Sequence, residues 1–104
     1  MSRDQLSPLA KEQIAEIYAY THATWGREQA DRYYLKLFDC FDAIADRRMV
    51  WRRIGAEFGA DGYFCRCEHH FVYWRLSSGD QLRIVTILHE RMHQLEQLRA
   101  VWEP

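Results

Sequence analysis

The sequence predicts an α+β domain in which an N-terminal two-helix hairpin packs on a small, mainly antiparallel sheet of three to four strands. Three observations predict it. Apolar residues recur at spacings of three and four from Ala10 to Ala45, interrupted by one glycine. From Tyr63 onward they crowd into short runs rich in aromatic and β-branched residues. Turn chemistry separates the last two of those runs. At 104 residues, 48% hydrophobic and 14% aromatic, the chain reads as one domain, residues 1–104, with material for a full core.

The first helix is announced by Ser7-Pro8. Serine suits the N-cap, and proline suits the first helical position, where its missing N–H costs nothing. Ala10, Ile14, Ile17, Tyr18, Thr21 and Trp25 then form one apolar stripe, and Gly26 closes the helix in the left-handed conformation. A second stripe follows at once through Ala30, Tyr33, Tyr34, Leu37, Phe38, Phe41, Ile44 and Ala45. Two helices separated by a single glycine must fold back on each other. Arg47 to Arg53 has no helical stripe, and Gly55, Gly59 and Gly62 punctuate a loop. Strands are expected at Tyr63–Cys67, Phe71–Leu76 and Leu82–Leu88, with Ser77-Ser78-Gly79-Asp80 as the turn between the last two. Arg3 to Leu6 is a candidate short first strand.

A sheet with one face on helices and one in water should alternate apolar and polar residues. Here both parities are apolar. Phe71 and Tyr73 oppose Val72, Trp74 and Leu76, while Leu82, Ile84 and Leu88 oppose Val85 and Ile87. One helical hairpin covers one face, and the second is too apolar to stand open on a soluble monomer. Two covers are possible: an amphipathic segment from Gln94 to Trp102, carrying Leu95, Leu98, Val101 and Trp102, or a separate protein partner. The size of the patch favours the partner.

Charge narrows the functions. Fourteen basic and fifteen acidic residues leave a net charge of −1, which argues against a protein that lives on a nucleic-acid backbone. Three cysteines (Cys40, Cys65, Cys67) and no export signal predict reduced thiols and a cytoplasmic location. No apolar run is long enough to span a membrane.

Two motifs resemble metal sites. His89-Glu90-Arg91-Met92-His93 matches H-E-x-x-H, in which a helix sets two histidines one turn apart over a zinc ion. Its context is wrong, because Val85 to Leu88 reads as a strand running into His89. Cys65-x-Cys67-x-His69-His70 offers ligands, but on one strand its outer members lie about 13 Å apart, too far for one tetrahedral ion. No metal is therefore assigned. The arginines around Trp51 can hold phosphate or an acidic partner, but such a run is more often a solvated loop.

Taken together, Leu6-Ser7-Pro8 with Ala10, Trp25-Gly26 at the hairpin corner, Gln29-Ala30-Asp31 with Tyr33, His70-Phe71-Val72-Tyr73-Trp74-Arg75, and Ile84 through Met92 resemble the ParE toxins. The likeness runs in order through nearly the whole chain. It is weakest from Arg48 to Asp61 and departs at Trp74, where a tyrosine commonly precedes the arginine. The resemblance implies the RelE/ParE fold and the toxin of a type II toxin–antitoxin module, acting in plasmid maintenance or stress response. It implies neutralisation by a ParD-like antitoxin in a hetero-oligomer and, when free, inhibition of DNA gyrase and a block of replication. A binding toxin of this kind has no cofactor, no catalytic residue, no membrane contact and no direct sequence-specific nucleic-acid contact. The antitoxin-binding residues expected are Arg66, Tyr73, Trp74, Arg75, Leu76, Arg83, Val85, Arg91 and Met92; the target-binding surface is left unassigned. The rival within the superfamily is a RelE-like ribosome-dependent mRNA endoribonuclease, with Arg66, Arg75, His89 and Arg91 around the scissile phosphate. Near-neutral charge and only two lysines, Lys11 and Lys36, suit that role poorly.

Overall fold

Residues 5–102 are described by a computed structural model. Helix α1 (Pro8–Trp25) starts as its sequence dictates. Ser7 Oγ accepts the Ala10 N–H at 3.0 Å and donates to the Val85 carbonyl at 2.7 Å, so one hydroxyl both caps the helix and ties it to the sheet. Helix α2 (Arg27–Ala45) begins one residue after α1 ends. The reversal falls on Gly26, whose φ of +93° and ψ of 171° lie outside the left-handed helical well, in a region that essentially glycine alone occupies. The hairpin tip projects beyond the sheet, and residues 22–29 are all exposed. Trp25, expected in the stripe, is therefore 71% exposed, whereas Ala10 and Ile14 lower on the same helix are buried.

The sheet is antiparallel in the order β1-β2-β3-β4, comprising β1 (Arg52–Arg53), β2 (Tyr63–Cys67), β3 (His70–Ser77) and β4 (Gln81–His89). β1 lies in the stretch read as loop; pairing of Arg52 with Phe64 and Arg53 with Tyr63 makes it a strand. The four arginines of the Arg47-to-Arg53 cluster are exposed, as expected of a solvated run, and Trp51 between them is the member that turns inward. The Arg47 guanidinium stacks 3.5 Å from the Trp51 ring centre, and the Trp51 indole donates to the Ile44 carbonyl. Of the candidate first strand, Leu6 makes a single parallel bridge to Ile84, while Arg3 and Asp4 lie outside the described residues.

The expected parity of β4 fails at one residue. The register slips between Tyr73, opposite Thr86, and Trp74, opposite Ile84, so Val85 is bulged out. Beyond the bulge the faces exchange. Leu82, Ile84 and Ile87 join Val72 and Trp74 beneath the helical hairpin, whereas Val85 and Leu88 face the other way. The bulge is held from α1: Ser7 takes the Val85 carbonyl, and Gln13 Oε1 accepts the Ile87 N–H at 2.8 Å and the buried Thr86 hydroxyl at 3.2 Å.

Two apolar cores result. The inner one joins Leu37, Phe41 and Ile44 of α2 to Val72, Trp74 and Ile84. The outer one is built by α3 (Gln94–Val101) and the residue after it, with Leu98 and Trp102 packed on Tyr73, Leu88 and Ile54. The C-terminal segment thus covers much of the face that patch size alone assigns to a separate partner. Leu98 is fully buried and the Trp102 indole donates to Asp61 at 3.2 Å, so this cover is anchored by apolar and polar contacts together.

Candidate functional site

α3 does not close the whole outer face. A groove of about 430 Å³ remains beside it, floored by Phe64, Phe71 and Tyr73 and walled by Ile54, Gly55 and Phe58 on one side and Gln94 on the other. Strand pairing produces the floor directly. Phe64 stands opposite Tyr73 and Arg66 opposite Phe71, so alternate residues of β2 and β3 present aromatic rings to one side. The Phe64 and Tyr73 rings stack with centres 5.8 Å apart. Phe64, Phe71 and Phe58 are half-buried, and the Tyr73 hydroxyl is fixed by donating to Gln94 at 2.7 Å. Burial pushes the Tyr73 phenol up to about 12, so it stays protonated. A concave aromatic floor, with exposed Arg53 and Glu57 in its walls and Arg66 paired to Glu90 outside it, suits an apolar segment with polar flanks.

The expected interface residues divide around this groove. Tyr73 is in its floor, and exposed Arg66 faces Phe71 across the strand pair. Arg75 and Val85 lie further along the same face: Arg75 pairs with Asp61 at 2.7 Å and stacks over Trp102, and Val85 packs on the outer core. Arg83 is exposed opposite Arg75. Arg91 and Met92 are exposed on the turn before α3, with Met92 held to Gln94 through its carbonyl. Trp74 and Leu76 belong to the inner core instead. Trp74 is fully buried against Trp51 and Tyr63, so its side chain cannot meet a partner on this surface. Phe64, Phe71, Phe58 and Ile54 are absent from the expected set; alternation puts Phe71 on the face of Tyr73, but its openness beside α3 and its company with the other three emerge only once register and cover are known.

The four residues proposed for phosphate cleavage do not converge. Arg66 and His89 flank the β2–β3 turn end of the sheet and Arg91 follows in the next turn, whereas Arg75 is bound to Asp61 towards the other end of β3. At that turn end is a different cluster. Glu90 receives Arg66 and His69, the latter at 2.8 Å, and the His69 hydrogen bond holds its carboxyl below the usual range. Tyr33 of α2 meets His70 Nδ1 at 2.7 Å and accepts the His69 N–H at 3.1 Å. Burial, helped by neighbouring His89 and His69, pushes His70 down to about 4.

Neither zinc motif survives folding. His89 ends β4, His93 is the N-cap residue of α3, and Glu90 is engaged by Arg66 and His69, so no helix presents the H-E-x-x-H trio. Cys65 and Cys67 face the inner core while His69 sits exposed on the turn. Their neighbour is Cys40 of α2. The packing of α2 on β2 brings the Cys40 and Cys67 Cα atoms to 6.1 Å, and the two are joined as a disulfide, contrary to the expectation of reduced thiols. Cys65 is a free thiol, buried and pushed up to about 12 by desolvation.

Fold and groove define a small α+β domain with an apolar groove on its outer sheet face. The chain matches the family described as ParE toxin of type II toxin–antitoxin system, parDE, over residues 5–94. It is 32% identical over 93 residues to Toxin ParE of Escherichia coli, a match spanning 89% of either chain. It is 29% identical over 92 residues to Toxin ParE1 of Mycobacterium tuberculosis, covering 88% of this chain and 92% of that one. The chain belongs to the ParE toxin family. Membership of a type II module implies an antitoxin as partner. Among the described residues no helix is long and apolar enough to cross a membrane.

Proposed function

We propose that this toxin is held inactive in the cytoplasm by a ParD-like antitoxin whose segment lies along the outer face of the sheet, in the groove over Phe64, Phe71 and Tyr73. The observation that carries this reading is the groove itself, an aromatic floor left uncovered beside α3 in a chain whose family pairs with antitoxins. Arg53 in the groove wall, with Arg83 and Arg91 farther off, supplies charge for acidic side chains of that segment, Arg66 joins them by exchanging Glu90 for one of these, and Met92 extends the apolar strip past the end of β4. Released, the toxin acts on DNA gyrase as a binding inhibitor rather than as an enzyme; separation of Arg75 from Arg66 and His89 supports the non-catalytic reading.

Two experiments test it. Calorimetry with the antitoxin encoded beside this gene should show tight binding, weakened at least about 30-fold by Phe71→Asp, about 2 kcal/mol for a central aromatic anchor. The Phe71→Asp chain must keep its circular dichroism; full affinity in that folded variant removes the groove from the interface. Purified chain should also inhibit supercoiling by gyrase or stabilise cleaved DNA. Growth arrest with unchanged gyrase activity rejects that target, and translation-dependent mRNA cleavage abolished by His89→Ala would make the toxin a ribonuclease.

A further inference from the structure

Three sulfurs meet between α2 and β2. Cys65 and Cys67 alternate onto one face of β2 and are buried, and Cys40 comes down from α2 half-buried. All three Sγ atoms lie within 4.8 Å of one another, with Cys65 Sγ at 3.8 Å from Cys67 Sγ. A tetrahedral ion with zinc–sulfur bonds of about 2.3 Å sets its sulfurs about 3.8 Å apart. The Cys40–Cys67 disulfide uses two of the three, and Cys65 takes no part in it.

We propose that reduction of the Cys40–Cys67 disulfide turns the Cys40, Cys65 and Cys67 sulfurs into a site for one divalent thiophilic cation of the zinc class. Disulfide and metal are then alternatives on the same atoms, and either one pins α2 to β2. Charge selects the divalent ion. Three thiolates around it leave one net negative charge, whereas around a monovalent ion they leave two, a costlier burden beside an apolar core. The fourth position belongs to water on the side of Cys40, the half-exposed member of the three. The chemistry balances: a phosphine and one water convert the disulfide to two thiols and a phosphine oxide, and the divalent ion then displaces three protons from three thiols.

The test is titration of the reduced, desalted full chain with Co²⁺ under anaerobic conditions, followed by Zn²⁺. One equivalent of Co²⁺ should bind with a sulfur-to-cobalt charge-transfer band, which Zn²⁺ then discharges, while the oxidised chain gives no band. Cys65→Ala should retain the disulfide by mass and lose the band. Cys40→Ser, on the half-exposed helix surface, is a second variant expected to lose it. A reduced, folded chain without the band, undiminished thiolate binding in the folded Cys65→Ala chain, or stoichiometric Cu⁺ binding with Zn²⁺ excluded would each overturn the proposal. Cobalt bound through imidazole alone, lacking charge transfer, would do the same.

Discussion

Acidification is expected to weaken the fold through one side chain, His70. It is 8% exposed, beneath Tyr33 of α2, with the His89 ring edge-on at 5.1 Å between ring centres. The titratable groups facing it are His69, His89 and Glu90; burial is the largest influence and, with the two histidines, opposes its protonation, while Glu90 favours it. The Tyr33 oxygen already accepts the His69 N–H, so the Tyr33 hydroxyl proton is directed to His70 Nδ1, which suits the neutral ring. The folded value of about 4 lies below the ordinary 6.5. The unfolded chain therefore binds the proton more readily, and the stability from neutral His70 is complete above 6.5 and lost as pH falls towards 4. From about pH 7.5 to about pH 5 the linkage removes about 2 kcal/mol. Urea unfolding followed by tryptophan fluorescence at fixed pH steps measures it, with His70→Asn as reference, since Asn Oδ1 can accept the Tyr33 hydroxyl without titrating. The parent should lose about 2 kcal/mol relative to the variant across that interval. A parent-minus-variant difference that stays flat with pH refutes the reasoning. The lowered carboxyls of Glu90 and Asp61 are lost only below the ordinary carboxylate range and do not mimic the effect.

Two stability predictions rest on single contacts. Ser7→Ala removes both the α1 cap and the bond to the Val85 carbonyl, and should cost about 1–2 kcal/mol in a urea melt; an unchanged midpoint would mean that water replaces both. Gly62→Ala would set a Cβ 2.5 Å from the Trp74 carbonyl oxygen and 2.8 Å from the Trp102 ring. The forced shift should cost about 1–3 kcal/mol and loosen α3, read as a lower thermal midpoint and changed Trp102 fluorescence.

Much of the fold was legible because its signals are local. Ser7-Pro8, the two apolar stripes, Gly26 and the Ser77–Asp80 turn each act within a few residues, and each lies where its chemistry places it. What escaped was long-range. Strict alternation assigned Val85 and Ile87 to one face, but a bulge clamped by Ser7 and Gln13 of another element exchanged the faces behind it. The cysteine pair is 27 residues apart and forms because α2 packs on β2, which thiol spacing along β2 cannot reveal. Trp74, where the chain departs from the family's common tyrosine, is an expected contact residue by its place in the motif; its burial against Trp51 makes the departure a matter of core packing, with an indole N–H left unpartnered.

The apolar second face keeps its place in the argument for a partner, but with a smaller extent. Leu98 and Trp102 remove Leu88 and much of Tyr73 from any external surface, leaving the strip over Phe64 and Phe71. The match to the family ends at residue 94, where α3 begins. The groove floor is thus drawn from the matched segment, while the helix that narrows it extends beyond that segment. Substitutions in the floor and in α3 therefore ask different questions. If the antitoxin reads the floor, Phe71→Asp weakens binding whatever α3 does. If α3 only sets how much floor is open, loosening it through Gly62→Ala should leave the antitoxin bound at least as tightly, even as the free toxin becomes less stable.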